Sequence, residues 1–535
     1  MSERLRFLPS GTGALLVELE DLEATLTLLD ALHTDRPDGV IELVPAARTL
    51  LVRFDTLATN RATLVDFISS VDLSTRSIRH GETFEIPVTY DGEDLNDVAS
   101  LLGWPVEEVV RRHTEATYTV AFTGFAPGFA YMTCDDPGFD VSRRKSPRVR
   151  IPAGSVALGG KFSGIYPTDS PGGWQLLGHT PVKIWDTSRN RAALLAPGDR
   201  VRFRDTAKGA TVAVSDAPAV LSECATSSNN DEGLVVTRAD RPALFQDFGR
   251  PGQAGQGVSE SGALDRTCLI EANLCVGNPR GSAVIEIAYG GFAVKADRAV
   301  TVAVTGASSP MTIRTADGRS VSAPLARPFA LNAGDELTLE FPREGTRSYL
   351  SIRGGFAVQK VLNSAATDTL AKVGPAPIVA GDHLVPANAP GSAVDPCRPE
   401  PQMLPKASDT VTLDVVLGPR TDWFSEKDLS TLLMQDWQVT AESSRVGVRL
   451  AGAEALERTD TAELPSEGTP VGAIQVPHSG QPVLFLADHP LTGGYPVIGV
   501  VAHHHLDLAS QIPIGAKIRF NAIAAFDPLI RENDR

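Results

Sequence analysis

The chain has 535 residues, 42% hydrophobic and 21% charged, with a formal net charge of −16. That length exceeds one core and predicts three or four domains. The acidic balance excludes a nucleic-acid partner, which needs a basic surface. Five scattered cysteines (Cys134, Cys224, Cys268, Cys275, Cys397) without a C-x-x-C pair exclude a zinc knuckle or a disulfide framework. No apolar run approaches the roughly 18 residues needed to span a bilayer, so the expected location is cytoplasmic, with no membrane partner.

In chain order, residues 1–80 read as a small α/β unit. Strands are predicted at Leu5 to Leu8, Ala14 to Glu18, Gly39 to Val44 and Thr49 to Phe54, with helical apolar spacing at Leu22 to Leu32 and Leu64 to Val71. Residues 83–221 open on an alternating strand, Phe84 to Tyr90, followed by two helices. Asp94 is the expected N-cap of the first, and Pro105 sits at the start of the second. Short strands and Gly or Pro turns then predict a β-barrel. The basic run Arg143, Arg144, Lys145, Arg148, Arg150 reads as a solvated loop. Residues 222–233 form a polar linker and 234–387 a second β-rich domain. A Pro-rich bridge, 388–408, leads to a last β-rich domain, 409–530.

One phrase occurs twice. The first copy runs Ile151-Pro-Ala-Gly-Ser155, then Asp169-Ser-Pro-Gly172-Gly173-Trp174. The second runs Gln475-Val-Pro-His478-Ser-Gly480, then Asp488-His-Pro-Leu-Thr-Gly493-Gly494-Tyr495. Paired glycines allow a backbone to approach a ligand or strand closely, so two related barrels meeting at a shared site are expected. In the first copy Arg148 offers a bidentate anion donor and Ser155 a hydroxyl, although no nucleophile elbow surrounds it. Between the copies, Gln246, Asp247, Arg250, Ser261, Asp265 and Asn273 are polar groups dense enough to line a pocket for a small polar molecule. His503-His504-His505 with Asp507 invites a metal reading. Adjacent residues of a strand face opposite ways, however, so only His503 and His505 would share an ion, and a solvated loop end is expected instead, with no metal site. The sequence has no Gly-x4-Gly-Lys phosphate loop, no Met-Lys-Met biotin-attachment tripeptide and no H-E-x-x-H zinc helix.

Thr123-Gly-Phe-Ala-Pro-Gly-Phe129, Pro152-Ala-Gly-Ser-Val156 and Ser170-Pro-Gly-Gly-Trp174 with Gly178-His-Thr-Pro181 resemble the first half of the allophanate-hydrolase-subunit family. That half is shared by the B-type component of 5-oxoprolinase and the kinase inhibitor KipI. Gln246-Asp-Phe-Gly-Arg250, Ser261-Gly-Ala-Leu-Asp265, Ala272-Asn273, Val276-Gly-Asn278, Ala473-Ile-Gln-Val-Pro477 and Thr492-Gly-Gly-Tyr-Pro496 resemble the second half, that of the C-type component, or KipA. The resemblance implies a mainly β protein with some α: cyclophilin-like β-barrels in both halves, preceded by a small α/β domain.

The resemblance also implies a fused B–C component of an ATP-dependent 5-oxoprolinase. Such a component would act on a lactam or amide with a separate A-type subunit, with ATP and Mg²⁺ as co-substrate and no covalently attached biotin. Arg148, Asp169, Asp247, Arg250, Asp265 and Asp488 are the expected catalytic positions. Ser155, Gly172, Gly173, Gln246, Asn273, Gly493, Gly494 and Tyr495 are the expected substrate contacts. Two alternatives stay open: a carboxyltransferase moving CO₂ from carboxybiotin to urea or a similar amide, and a Kip-type module binding a histidine kinase. Homo-oligomerisation is open as well. The sequence departs from the family pattern at Asn363-Ser364-Ala365, where an Arg is usual in place of Ala365, at Ser443-Ser444-Arg445, and at Phe162-Ser163-Gly164.

Overall fold

The computed structural model describes residues 3–73, 81–144, 146, 148–208, 232–394, 403–460 and 462–533. Most of the 222–233 linker, part of the Pro-rich bridge, Cys224, Cys397 and Lys145 lie outside the described residues.

The N-terminal unit folds as its pattern predicts. Strands Glu3–Pro9, Ala14–Glu18, Val40–Pro45 and Thr49–Phe54 carry helices Leu22–Thr34 and Arg61–Ser69. Asp21 and Asn60 start the helices by accepting the N–H groups of Ala24 (2.9 Å) and Thr63 (3.0 Å). The unbroken apolar runs Leu15-Leu16-Val17 and Leu50-Leu51-Val52 mark a sheet buried on both faces. Leu15, Val17, Leu50 and Val52 share a core with the helices and with the aromatic wall Phe122, Phe129, Tyr131, Tyr166 and Trp174 of the next unit. Leu8, Leu16, Val44 and Leu51 face Ala254 and Leu491, far along the chain. A fifth strand, Leu529–Asn533, completes this sheet antiparallel to Glu3–Pro9, with Phe7 opposite Leu529.

The second unit is a seven-stranded ring. In sheet order its strands are Gln175–His179, Ser155–Gly159, Phe162–Ile165, Ala130–Cys134, Tyr118–Thr123, Arg200–Asp205 and Thr83–Val88. Reciprocal hydrogen bonds between Thr89 and His179 (2.8 and 2.9 Å) bring its ends together. The C-terminal unit is a closed barrel of Thr410–Leu417, Val497–Val501, Ala473–Gln475, Val483–Phe485, Gly447–Ala451, Trp437–Val439 and Lys517–Ala524. The two rings have the same topology. Each joins its first and last strands in parallel, inserts helix between its first two strands, and visits the others in the same order.

That correspondence corrects the alignment of the repeated phrase. Pro152-Ala-Gly154-Ser155 matches Pro470-Val-Gly472-Ala473, because both turns feed the equivalent strands; Gly154 and Gly472 have φ of +83° and +84°. The stretch Gln475 to Gly480 is the following hairpin. Asp169 and Asp488 both lie in the loop between the fifth and sixth strands of their rings, ahead of the paired glycines Gly172-Gly173 and Gly493-Gly494, so this part of the repeat keeps its alignment.

Between the rings, a six-stranded and a five-stranded sheet enclose Val236, Ile285, Val294, Val302, Leu337 and Leu350. Helix Arg266–Cys275 packs on strands Val300–Gly306 and Arg347–Ile352 of this unit. Turns of one kind punctuate the β units: Asp199, Asp335, Asp382 and Asp409 each accept the N–H three residues earlier, at 2.8–2.9 Å. Asp94 departs from expectation. It holds the cap position of helix Leu95–Leu102 but makes no capping bond. Its buried carboxylate instead accepts from Arg144, Arg148 and the N–H of Leu176. Among the described residues no helix is long and apolar enough to cross a membrane.

Candidate functional site

A cavity of about 620 Å³ opens where three units meet. The N-terminal sheet supplies Glu42, Val44 and Arg53. The middle unit supplies Phe248, Ser259 to Ser261, Arg266 and Ile270, and the C-terminal barrel supplies Thr469, Leu486, His489, Leu491, His504 and Asp507. Its charges are matched. Arg53 bridges Glu42 and Glu260, each at 2.7 Å, and Arg266 reaches Glu260 at 2.7 Å. The N-terminus of helix Arg266–Cys275 is filled by protein carboxylates: Asp265 accepts from Cys268 (2.8 Å), and Asp507 accepts from Arg266 (3.0 Å) and Thr267 (3.1 Å).

Behind the cavity wall lies a buried ionic network. Arg445 donates bidentately to Asp488 (2.9 and 2.9 Å), and also to the Gly262 carbonyl and Glu286. Asp488 further accepts from the Ser261 hydroxyl (2.7 Å) and from the N–H and hydroxyl of Thr369 (2.8 Å each). Burial opposes its ionisation, but the Arg445 guanidinium and these donors outweigh burial and hold its carboxyl below the usual range. Nearby Asp368 accepts from Ser259 (2.9 Å), Leu370 (3.0 Å) and Ala371 (2.8 Å). Burial, then the charge of Asp488, push its carboxyl upward, so this pair has one ready and one reluctant acid. Ser259 and Ser261 line the cavity and connect it to both carboxylates.

The residues singled out in the sequence divide between the halves. Gln246, Asp247 and Arg250 all hold the segment Ser364 to Thr367. Gln246 donates to the Thr367 carbonyl (2.8 Å), Asp247 accepts from Ser364 (2.6 Å) and Ala365 (2.7 Å), and Arg250 donates to the Ala366 carbonyl. Ala365 itself is fully buried, so no Arg side chain from that position enters the site. Arg250 is 1% exposed, and its Nε and Nη1 lack a hydrogen-bond partner. Burial disfavours its charge, and the nearby carboxylates of Asp368, Asp247 and Asp488 oppose that effect. Asn273 has a scaffold position, donating to the carbonyls of Arg280 and Ser282 and accepting from Ser351.

Gly493 pairs with Glu467 in a two-residue ladder next to Gly494, and Tyr495 rests edge-on against His478. In the first ring, Arg148 clamps Asp94 (2.8 and 2.9 Å) and Glu93 (3.0 Å). Asp169 accepts from Arg150 and the Ala153 N–H, Ser155 is buried in its strand, Gly172 lies under the Tyr166 hydroxyl, and the Gly173 carbonyl accepts from Arg144. None of these five lines the cavity.

The two copies do approach each other. The Phe125 N–H donates to Thr492 Oγ1 (3.2 Å), and the buried Tyr131 phenol faces Ser466 and Thr492. The histidine run forms a turn of 3₁₀ helix rather than a strand, which brings together His504, His505 and Asp414 instead of His503, His505 and Asp507. His505 Nδ1 already accepts the Asp414 N–H at 2.8 Å, and His504 Nε2 lies 3.0 Å from the Asp414 carboxylate, so the cluster ties two loops together.

Comparison with known proteins follows this division. Residues 5–195 match the model of carboxyltransferase domain subdomains C and D, and residues 256–522 that of subdomains A and B. The chain belongs to the carboxyltransferase-domain family. It is 33% identical over 290 residues to the C-type 5-oxoprolinase subunit of Escherichia coli (strain K12), covering 54% of this chain and 90% of that protein. Its first half is 38% identical over 181 residues to the B-type 5-oxoprolinase subunit of Bacillus subtilis (strain 168), covering 31% of this chain and 75% of that one. Urea amidolyase of Saccharomyces cerevisiae (strain ATCC 204508 / S288c) is 30% identical over 307 residues, 54% of this chain and 16% of that much longer protein. The solved structure of TTHA0988 superposes with a TM-score of 0.78 at 34% identity, covering 93% of this chain and 97% of that one. This family membership accounts for the two-half architecture and the paired barrels. Asp368, Glu286 and His489 were not among the expected site residues: Asp368 and Glu286 lie outside the repeated phrase, and His489 lies within it but was passed over for its neighbour Asp488.

Proposed function

We propose that this chain is the fused B–C component of an ATP-dependent 5-oxoprolinase, preparing 5-oxo-L-proline for hydrolysis to L-glutamate together with a separate A-type subunit. The observation that carries this reading is the junction cavity. Its lining comes from the half related to the B-type component and from the half related to the C-type component, so one chain supplies what two subunits supply in the relatives. A lactam carbonyl is a poor electrophile, and coupling its opening to ATP lowers that barrier. The cavity offers hydroxyls backed by carboxylates of unlike acidity and a wall of Leu264, Ile270, Leu486 and Leu491, a setting for a small amide. It does not fit a magnesium-bound triphosphate: Arg53 and Arg266 are already paired with carboxylates, and Glu42, Glu260 and Asp507 add negative charge. The nucleotide is therefore assigned to the partner subunit.

The test is to mix the purified chain with a candidate A-type subunit and follow ATP hydrolysis and glutamate with and without 5-oxoproline. Glutamate that requires both proteins and ATP is the expected result. No turnover from a folded, bound pair would shift the assignment to the second reading, a carboxyltransferase acting on an amide with the biotin carrier supplied in trans. The similarity to urea amidolyase favours that alternative.

A further inference from the structure

We infer that His489 is the residue through which the junction cavity selects its ligand: its imidazole Nε2 accepts a hydrogen bond from an amide N–H, so the cavity takes lactams or amides with a free N–H in preference to the matching lactones or esters. The inference rests on the proposal that this cavity holds the amide substrate.

The geometry fixes the tautomer. His489 Nδ1 lies 2.9 Å from the carbonyl oxygen of Pro490, and the Thr469 hydroxyl donates to the same oxygen at 2.6 Å. A carbonyl oxygen only accepts, so Nδ1 carries the hydrogen and Nε2 of the neutral ring is left with a bare lone pair. No donor among the described residues meets Nε2, and the residue is only half-buried. His489 lines the cavity, so the lone pair is available there.

The Phe485 ring stacks on the imidazole, 5.8 Å between centroids and 12° from parallel, and limits its rotation. Burial keeps the ring neutral by lowering its pKa to about 4. The charge of Arg53 acts in the same direction, while the Pro490 hydrogen bond, Asp488 and Glu260 act against it. At neutral pH the ring is therefore an acceptor and not an imidazolium. Two carboxylate acceptors of the cavity are less available: Glu42 is held by Arg53, and Glu260 by Arg53 and Arg266.

A lactone in the same pose would set an oxygen lone pair against Nε2, leaving the imidazole desolvated and unpaired. Such a mismatch lowers affinity by about tenfold or more. The experiment is calorimetric titration of the full chain with 5-oxoproline and with its lactone analogue, 5-oxotetrahydrofuran-2-carboxylate. Wild type, His489→Phe, which keeps the ring shape and stacking, and His489→Gln, which restores an acceptor, are compared. Wild type is expected to prefer the lactam by about tenfold or more, His489→Phe to lose the preference and His489→Gln to recover part of it.

A second readout needs no variant: the ¹⁵N resonance of His489 Nε2 should move on adding lactam and stay put on adding lactone. If wild type binds the lactam but His489→Phe keeps the full preference, or the resonance does not respond, the role of His489 is overturned while the 5-oxoprolinase reading stands. If wild type binds no lactam at millimolar concentration, both fall.

Discussion

The side-chain amide of Gln511 has only one workable orientation, and this dictates what Asp265 must be. Its Oε1 accepts the N–H groups of Thr346 (3.0 Å) and Arg347 (2.9 Å), which leaves Nε2 to donate to the Arg347 carbonyl (3.0 Å) and to Asp265 Oδ2 (2.9 Å). Asn at 265 would turn its own NH₂ toward either this donor or the helix N–H that Asp265 caps. Burial, reinforced by Asp507, pushes the Asp265 carboxyl from 3.8 up to about 6, against the pull of its hydrogen bonds. Between those values the unfolded chain has lost this proton and the folded chain has kept it, so this group makes stability fall as pH rises from about 4 to about 6. Asp265→Ser keeps a helix cap without the charge. Its stability relative to wild type should rise by about 3 kcal/mol between pH 4 and 7, at about 1.4 kcal/mol per pKa unit. Denaturant titration across that range checks it, and a flat difference would refute the assignment. Asp265 was legible in the sequence as a polar residue of a Gly-rich stretch, expected there to be catalytic; the helix that it caps was not predicted. Asp368 and His489 were not, because what distinguishes them is supplied by Asp488, Pro490, Thr469 and Phe485 in three dimensions.

Strand Leu529–Asn533 shows how an element takes its meaning from a partner more than five hundred residues away. Without it, strand Glu3–Pro9 would be the open edge of the N-terminal sheet, with unpaired backbone groups and with Leu5 and Phe7 less protected. Ending the chain after Asp527 should destabilise the N-terminal sheet by about 2–4 kcal/mol, the order expected for a few ladder hydrogen bonds at about 1 kcal/mol each. Hydrogen exchange checks this locally: amides of Glu3–Pro9 and Ala14–Glu18 should lose protection, while those of Thr410–Leu417 keep it. Equal loss in both would mean that the tail supports the whole molecule instead.

Elements with strong periodicity were readable from the sequence, as Ala14–Glu18, Thr49–Phe54 and helix Leu22–Thr34 show. The tail strand was not, because a short edge strand has no signature until its neighbour is known. The capping role of Asp94 was misread for a related reason. A capping residue looks the same in sequence whether its carboxylate meets the helix N–H groups or, as here, two arginines fifty residues away.

At the scale of the molecule, the two halves are joined by more than the linker. Arg420, buried in the second half, donates to Glu18 of the first at 3.1 and 3.2 Å and also to Glu467. Arg53 reaches Glu260, Thr123 Oγ1 donates to the Ala254 carbonyl (3.0 Å), and the Gly128 N–H donates to that of Gln256 (2.8 Å). Leu8, Leu16, Val44 and Leu51 cover Ala254 and Leu491. Residues 1–208 and 232–535, expressed together as separate chains, should therefore assemble as a 1:1 complex with the ligand binding of the intact protein. Each alone would expose this apolar face.

Gly124 tests the interface, because a Cβ there would stand 2.7 Å from Thr492 Oγ1. Gly124→Val should weaken the two-chain complex by tens of fold, about 2 kcal/mol. It should leave the intact chain assembled, because covalent connection holds the halves at an effective concentration on the order of millimolar. Sedimentation of the split pair and of the full chain, each with and without the substitution, separates the outcomes. Fragments that stay apart at tens of micromolar would show that the linker, and not the buried interface, holds the cavity together.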